Sequence, residues 1–542
     1  MTALAGTGAL IRLALRRDRI LLLIWILILA CVAVGITVAF NQLDPTTASL
    51  QVFANEVAAS PAEVALLGPV FAPTLGGLTA WRWSMIAVVY VGLASLLTVV
   101  RHTRTEEETG RRELLGATVV GRHAPLSAAL IVTFGADLVI AALVAGGLIG
   151  LGLPAAGSLA LGLSAAAVGW FFAAVAGVAA QLTKSAGAAR GIGGVVLTLV
   201  YLLRAIGDMS EGSGLSWLSW LSPAGWMRQI RPFAGERWWI FAPLIGAVVV
   251  LGAGAYALSS RRDLDAGLLP SRLGPAAASP GLRSPLALAW RLQRNTLLAW
   301  TGGLAVIGTA LGFVAKTATD QLTANPQLKD FFARLGGKAG VGDAFFTLSL
   351  ALFGEVLAVY AIQAALRLRS EEMVVRADPV LATPVGRLQW ATSHLVFAAL
   401  GPAIALMALG LSAGLTYGLS SGDTFASLSA SVGRELPRVL AAAMVYLPAV
   451  WVLAGIAVAL FGLLPRFVSL SWAALVAFLL LELIGELQLV SQGVLDLSPF
   501  THVPRVLVGQ GAALPLVWLL GVTALLTIAG LAGFRRRDVC RV

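Results

Sequence analysis

ILLLIWILILACVAVGITVAF, residues 20–40, is the first long apolar stretch of the chain, and it contains no charged side chain. A helix of about 20 apolar residues crosses the hydrocarbon core of a bilayer, whereas a barrel strand alternates over about 10 residues. Backbone groups inside lipid must be bonded within the protein, which restricts spans to helices and closed barrels. The stretch therefore predicts a retained transmembrane helix. It exceeds the apolar region of a secretory signal, which is about 7–15 residues long.

Apolar stretches of this kind recur along all 542 residues, of which 58% are hydrophobic and 12% are charged. Soluble domains are about one-quarter charged, so the composition predicts an all-α polytopic membrane protein with about 12 transmembrane helices. The predicted spans are residues 20–40, 82–100, 124–150, 160–182, 191–208, 240–258, 297–315, 344–366, 391–416, 438–463, 467–487 and 514–533.

The net charge of +11 lies largely beside these apolar stretches. Segments on the predicted side of the N-terminus hold 26 of the 38 Lys and Arg residues. Cytoplasmic loops are enriched in such residues, so we expect both termini in the cytoplasm and attribute the charge to topology, not to nucleic-acid binding. Only four of the 38 are Lys, and Ala and Gly are abundant, which is typical of a GC-rich bacterial genome. We therefore expect a multi-pass protein of a bacterial plasma membrane.

Residues 8–19 place Arg12, Arg16 and Arg19 on one helical face, which predicts an amphipathic interfacial helix.

Two charged segments resemble each other. RTEEETGRRELLGATVVGR at residues 104–122 and RSEEMVVRADPVLATPVGR at residues 369–387 are identical at nine of 19 positions, with an offset of 265. The tripeptide RRD at residues 261–263 returns at residues 536–538 with an offset of 275. Because the order of these landmarks is preserved, the chain is predicted to be a tandem duplication.

The duplication predicts three parts: a first six-helix half at residues 1–263, a Pro-rich cytoplasmic linker at residues 264–285, and a second six-helix half at residues 286–542. Proline spaced among Ala, Gly and Ser is suited to a linker. An even number of spans inserts both halves the same way up, as parallel repeats related by a pseudo-twofold axis along the membrane normal.

The first charged segment is predicted to be a cytoplasmic loop between the second and third spans. Thr105 followed by Glu108 has the spacing of a capping box, which predicts that a helix begins there, and Glu106 to Glu108 would favour its N-terminus. A short helix held between two spans is suited to docking a partner. A solvated loop that only sets topology is the alternative, and the acidic pair and VGR retained in both copies favour docking.

Three features together resemble the ABC-2-type (type V) exporter permeases: a basic amphipathic helix before the first span, the EEETGRRELL…VVGR loop after the second, and LSP before the last span of each half, at residues 221–223 and 497–499. The fused two-half form is similar to the "exporter of polyketide antibiotics" group, the tetronasin-type permeases. The resemblance covers nearly the whole chain, although its motifs are degenerate. It implies a permease subunit that moves hydrophobic compounds, such as antibiotics, other drugs or lipids, out of the cell.

In that family the loop after the second span carries a coupling helix that sits on a separate ATPase subunit. The implied partners are two copies of an ABC ATPase subunit, which carry the ATP and Mg²⁺. The second loop departs from the first, since Val375 replaces a glycine and Pro379 follows Asp378, so unequal coupling is expected. The implied coupling residues are Glu106, Glu107, Gly110, Arg111 and Glu113 in the first loop and Glu371, Glu372, Arg376 and Asp378 in the second.

The sequence contains no G-x-x-x-x-G-K-[ST] phosphate loop and no recognisable metal-ligand or nucleophile motif. We therefore expect no catalytic site, no metal and no cofactor in this chain. If it is a transporter driven by ATP, the ATP must be hydrolysed by another subunit.

Ionisable residues inside spans are costly and mark functional positions. Arg204 and Asp208 lie one helical turn apart on the fifth span. Glu482 and Glu486 have the same spacing on its repeat partner, which predicts that Arg204 pairs with one of them across the interface of the halves. A structural polar clamp is the alternative to lining a pathway. Tyr90 and Glu355 occupy equivalent positions at the offset of 265, and the family resemblance implies that their spans border the central pathway. The candidate pathway or interface residues are Tyr90, Arg204, Asp208, Glu355, Glu482 and Glu486.

Two other functions compete with the permease. An ion-coupled twelve-span secondary transporter of the facilitator type also has two halves, but its loop is built on G-x-x-x-D-R-x-G-R-R, and here GRR at residues 110–112 lacks the preceding aspartate. A membrane-embedded transferase would need an external acidic group, and Asp44, Glu56 and Glu63 form no recognisable arrangement.

Overall fold

The computed structural model describes a chain of helices, as predicted. It covers residues 3–42, 47–59, 64, 67–112, 119–209, 216–263, 266–269, 277, 280–324, 341–420, 425–486, 491–509 and 513–537. Every regular element within these ranges is a helix. Eleven of the described helices are long and apolar enough to cross a membrane, which confirms an all-α polytopic membrane protein.

The chain divides into two compact units, Met1–Gly274 and Pro275–Val542. The division lies among the residues 264–285 that the sequence predicts as a linker. In the first unit the helices are α1 (Thr7–Gln42), α2 (Thr47–Ala59), α3 (Leu75–Glu108), α4 (Ala124–Gly150), α5 (Ala155–Leu182), α6 (Ala186–Met209), α7 (Pro223–Gln229) and α8 (Phe241–Arg261).

The second unit is divided into more helices over its described residues. Its helices are α9 (Pro285–Ala324), α10 (Val341–Ala365), α11 (Arg367–Met373), α12 (Ala377–Leu381), α13 (Arg387–Ser420), α14 (Phe425–Met444), α15 (Leu447–Leu463), α16 (Leu470–Glu486), α17 (Gln492–Leu495) and α18 (Ala513–Arg536).

The same neighbours pack together in both units. In the first unit α1 packs on α4, α4 on α5, and α5 on α8; in the second, α9 packs on α13, α13 on α14, and α15 on α18. These are the equivalent pairs of the predicted duplication. Small residues allow the close approach that helix packing in membranes requires. A Cβ on Gly162 of α5 would lie 2.4 Å from the carbonyl oxygen of Ala141 on α4.

Two predicted elements differ in detail. The predicted interfacial helix at residues 8–19 is not separate, because Thr7–Gln42 forms one continuous helix of 36 residues. The predicted span at residues 467–487 corresponds to α16, which has 17 residues and falls below the length of the other spans. The Trp-rich segment at residues 216–239 contains the short helix that was predicted, flanked by 3-10 turns at Ser216–Leu221 and Trp238–Ile240.

Candidate functional site

The first charged loop begins inside the second transmembrane helix and not at a new helix N-terminus. Thr105 has helical backbone angles and its side chain caps nothing, so the predicted capping box is wrong. The helix runs on from Leu75 to Glu108 and closes at Gly110, whose N–H donates to the carbonyl of Glu107 at 2.9 Å. The three glutamates therefore lie at a helix C-terminus, where the dipole disfavours negative charge. They need cationic partners or other strong donors to be stable.

Glu107 lies at the centre of an arginine cluster. The residue is 6% exposed, and its carboxylate pairs with Arg104, Arg112 and Arg262. Arg262, at the end of α8, donates to both carboxylate oxygens at 2.7 and 2.9 Å. Arg104 also donates to the carbonyl of Ala266 at 3.0 Å. The cluster thus joins the loop to the last helix of the unit.

The two flanking glutamates attach the loop to other helices. Glu106 pairs with Arg17 of α1 and, at 3.5 Å, with Arg111. Glu108 accepts the backbone N–H of Ala186 at 3.1 Å, which satisfies one of the free donors at the N-terminus of α6. Three consecutive acidic residues therefore bind three different helices.

Arg122, the last residue of VGR, secures the other end of the loop. Its guanidinium donates to the carbonyls of Ser259 at 3.0 Å and Arg262 at 2.7 Å. These carbonyls are at the C-terminal end of α8, where unsatisfied acceptors and the negative end of the dipole favour a cation.

The second unit builds the same attachment from the equivalent residues. Glu372 pairs with Arg537 at 2.8 Å, as Glu107 pairs with Arg262. Arg387 donates to the carbonyl of Arg537 at 2.7 Å, as Arg122 does to that of Arg262. Glu371 is also buried and pairs with Arg367 at 2.7 Å. The repeated residues EE, VGR and the second Arg of RRD therefore form a single structural unit in each half, which we call the loop clamp: Glu107, Arg122 and Arg262 in the first unit, and Glu372, Arg387 and Arg537 in the second.

The turn after the acidic residues is left-handed in both units. Gly110 has φ +71° and Val375, its repeat partner, has φ +59°. A β-branched residue rarely adopts this conformation, because its Cβ approaches the neighbouring carbonyl. The substitution of the glycine therefore changes the side chain but not the backbone, and Val375 is strained.

The clamps divide the predicted coupling residues into buried and exposed groups. Glu107, Glu371 and Glu372 pair with arginines, and Glu107 and Glu371 are buried, so their part in coupling to an ATPase stays a prediction. The exposed predicted residues are Arg111, Arg376 and Asp378, with Glu106 and Gly110 half-buried. Glu113 lies outside the described residues. The sequence reasoning missed Met373 and Val374, which with Val375 form three consecutive exposed apolar residues.

Cations crowd the first clamp. Burial, together with the neighbouring guanidinium groups of Arg262, Arg104 and Arg122, lowers the pKa of Arg112 to about 10. Arg112 still carries its charge at neutral pH. Arg104, Arg112 and Arg262 share the single carboxylate of Glu107.

Arg204 pairs with a carboxylate of its own helix in the first unit. Asp208 pairs with Arg204 at 3.4 Å and with Arg228, which comes from α7 in the Trp-rich segment. Arg204 also lies 4.6 Å above the ring of Tyr201. Burial lowers the pKa of Arg228 to about 9, helped by the nearby Arg204 and Arg231, so Arg228 remains charged at neutral pH. The side chains of Glu482 and Glu486 lie outside the described residues, and pairing with them stays a prediction.

The remaining predicted pathway residues do not gather at this cluster. Tyr90 is 49% exposed and lies on the π-helical turn Ala87–Val91 of α3. Glu355 is half-buried on α10. Asp44 and Glu63, weighed for an enzyme, lie outside the described residues, as does the side chain of Glu56. In the part of the chain that the structure describes, no group of three His, Cys, Asp or Glu side chains could hold a metal ion.

Asp137 is a buried carboxyl group between spans. It is 3% exposed on α4, and both its oxygens accept the hydroxyl of Ser95, at 2.9 and 3.1 Å. Among the described residues it forms no ion pair. A Cβ on Gly169 would lie 2.5 Å from its Oδ2 atom, so α5 closes the site from the other side.

Comparison with known proteins gives two matches. A family model, the C-terminal domain of the multidrug efflux system permease Rv1217c, matches residues 282–535. The multidrug efflux system permease protein Rv1217c of Mycobacterium tuberculosis (strain ATCC 25618 / H37Rv) is 43% identical over 535 residues, which is 98% of this chain and 95% of that protein. The similarity therefore includes both units.

Proposed function

The chain belongs to the family of the multidrug efflux permease Rv1217c, and from this membership we propose that it is the membrane subunit of an ATP-driven ABC exporter. Its cargo would be hydrophobic compounds such as antibiotics and other drugs, and it acts as a multi-pass protein of the bacterial cell membrane. ATP would be hydrolysed, with Mg²⁺, by two copies of a separate nucleotide-binding subunit. The absence of a phosphate loop from the sequence supports this division of labour.

The pair of equivalent loop clamps is the observation that carries the proposal. In each unit a carboxylate of the loop binds the arginine that follows the last transmembrane helix, at 2.7 Å for Glu107 and 2.8 Å for Glu372. A force applied to such a loop reaches the spans on both sides of it, because the loop is held by charge pairs and not by the chain alone. A loop that only set topology would not require this buried network.

The surface offered to the ATPase consists of the exposed residues between the clamped ends. Among the described residues of the first loop these are Glu108, Thr109, Arg111 and Val119. In the second loop it is the apolar turn of Met373, Val374 and Val375 followed by Arg376. The two loops would therefore bind their ATPase subunits with different chemistry, and the second contact would be the less salt-sensitive one.

Charge reversal at exposed positions tests the docking surface. We expect Arg111→Glu and Arg376→Glu to accumulate normally but to weaken co-purification with the ATPase subunit and its permease-stimulated ATP turnover. The matched control is Arg505→Glu, which reverses an exposed arginine on the predicted external side. Unchanged complex formation and turnover in both loop variants would contradict the proposal.

Asp137 favours the one alternative that merits a test, an ion-coupled secondary transporter. A buried carboxyl group without a counter-ion in a transmembrane helix is the kind of group that carries protons in pumps and transporters. Asn at this position retains the shape and the bond from Ser95 but binds no proton. An ATP-driven permease would keep its transport with Asp137→Asn, whereas a proton-coupled transporter would lose it.

A further inference from the structure

A cavity of about 450 Å³ lies in the first unit beside the loop clamp. Four helix ends surround it: the beginning of α1, the end of α3, the beginning of α4 and the end of α8. Each of these ends adjoins an apolar stretch of its span, so the cavity lies at the predicted cytoplasmic boundary of the membrane. Leu10 and Leu13 of α1 and Ala128 of α4 supply an apolar wall.

The polar wall of the cavity carries more positive than negative charge. Arg17, Arg112, Arg122 and Arg262 line it, against the carboxylates of Glu106 and Asp263. Arg262 and Arg112 share the single carboxylate of Glu107 with Arg104. In the described part of the chain Arg122 bonds backbone carbonyls and forms no ion pair. Glu106 pairs with Arg17, and among the described residues the arginines of this set outnumber its carboxylates.

The second unit shows which of these cations the clamp requires. Arg122 and Arg262 return there as Arg387 and Arg537, which bond the equivalent carbonyl and the equivalent glutamate. At the repeat positions of Arg17 and Arg112, however, the sequence has Leu292 and Ala377. The second clamp is built without these two cations, so a clamp does not require them.

We propose that this cavity binds a phosphate group, with Arg17, Arg112 and Arg122 as its ligands. Arginine binds phosphate oxygens through charge-assisted bonds, often in pairs. The position beside the membrane boundary, with an apolar wall for an acyl chain, favours the headgroup of an anionic phospholipid over free phosphate. The site is independent of the ATPase partner.

Lipid retention by the purified full-length chain tests this site. The protein is equilibrated with equal amounts of phosphatidylglycerol and phosphatidylcholine, and the retained lipids are counted by native mass spectrometry. A second arm adds inorganic phosphate as a competitor and measures its own binding in phosphatidylcholine membranes. The test variant is Arg17→Leu with Arg112→Ala, which copies the second unit. The control is Arg294→Ala with Arg466→Ala, which removes two exposed arginines outside the cavity on the same predicted side.

The wild-type chain is expected to retain phosphatidylglycerol in preference, and the test variant to lose about ten-fold of that preference, with no change in the control. Saturable binding of inorganic phosphate that the test variant loses would assign the same site to free phosphate. Equal retention of both lipids by the wild type, without phosphate binding, would overturn the proposal. Because that comparison uses the wild type alone, it decides the question even if the double variant fails to accumulate.

Discussion

Replacement of Glu107 by Gln separates a clamp from a docking surface. The buried carboxylate is the shared partner of three arginines, of which Arg104 is 1% exposed. Gln keeps the shape but leaves these cations without their charge partner. Removal of one member of a buried ionic group costs about 3–5 kcal/mol, against a total stability of about 5–15 kcal/mol for a domain. We expect a large fall in the thermal unfolding midpoint in detergent and in the yield of inserted protein.

The equivalent change in the second unit is predicted to cost less. Glu372 has one arginine partner, Arg537, which also lies 4.7 Å from the ring centre of Phe461 and so keeps a favourable contact when the carboxylate is removed. Loss of one bond to a charged group costs about 1.5–3 kcal/mol. Glu106→Gln is the control within the first loop, since Glu106 is more exposed and an exposed pair contributes about 0–1 kcal/mol.

Thermal unfolding of the three variants, read by intrinsic fluorescence and by trypsin cleavage of the loop, gives the order of their midpoints. The expected order of destabilisation is Glu107→Gln, then Glu372→Gln, then Glu106→Gln. A Glu107→Gln protein that unfolds like the wild type but fails to bind the ATPase would refute the clamp and restore a direct docking role for this residue.

Three further outcomes are expected. Val375→Gly should raise the free energy of unfolding by up to about 1 kcal/mol, because relief of a left-handed β-branched residue, about 1–2 kcal/mol, exceeds the entropy cost of glycine, about 0.5–1 kcal/mol. Gly110→Val, at a position with open space, should lower the free energy of unfolding. Thermal unfolding midpoints that move the other way would contradict the assigned turn. Asp137→Asn should unfold at the wild-type midpoint, whereas a pronounced loss of stability would show that the carboxylate itself is required. Arg228→Ala should destabilise the first unit by about 3 kcal/mol, since it leaves buried Asp208 with a single arginine at 3.4 Å, and a wild-type thermal midpoint would contradict that contribution.

The helices were predictable because their signal is strong and local. Long apolar runs leave the backbone no alternative to a helix, and the predicted spans at residues 124–150 and 391–416 coincide with Ala124–Gly150 and Arg387–Ser420. The repeated landmarks of the sequence also predict two halves, and the structure divides into two compact units. Helix continuity was harder to predict: Thr105 has the spacing of a cap, but the helix continues through it because the apolar residues before it and the arginine pairs after it stabilise the helical form.

The role of the repeated charges could not be read from the loop alone. The spacing of EE and VGR, which is the same in both copies, indicates a shared function. The residue that bonds both motifs in the first unit is the second Arg of RRD, Arg262, about 150 residues away in the sequence. Only the tertiary packing brings Arg262 to Glu107 and to Arg122. The sequence does contain an indication of this pairing, because RRD is repeated in the same order as the loop. A repeated basic motif and a repeated acidic motif are expected to pair, and that pairing indicates the clamp.

ATP dependence of transport is the most direct test of the central claim, that this chain is the passive membrane half of an ATP-driven exporter. The chain is reconstituted in vesicles with the separate ATPase subunit, and the efflux of a hydrophobic fluorescent drug is followed with ATP and Mg²⁺, with a non-hydrolysable nucleotide, and with a proton gradient alone. The account predicts efflux only when the ATPase and hydrolysable ATP are both present. Drug movement by this chain alone, driven by the proton gradient, would contradict it.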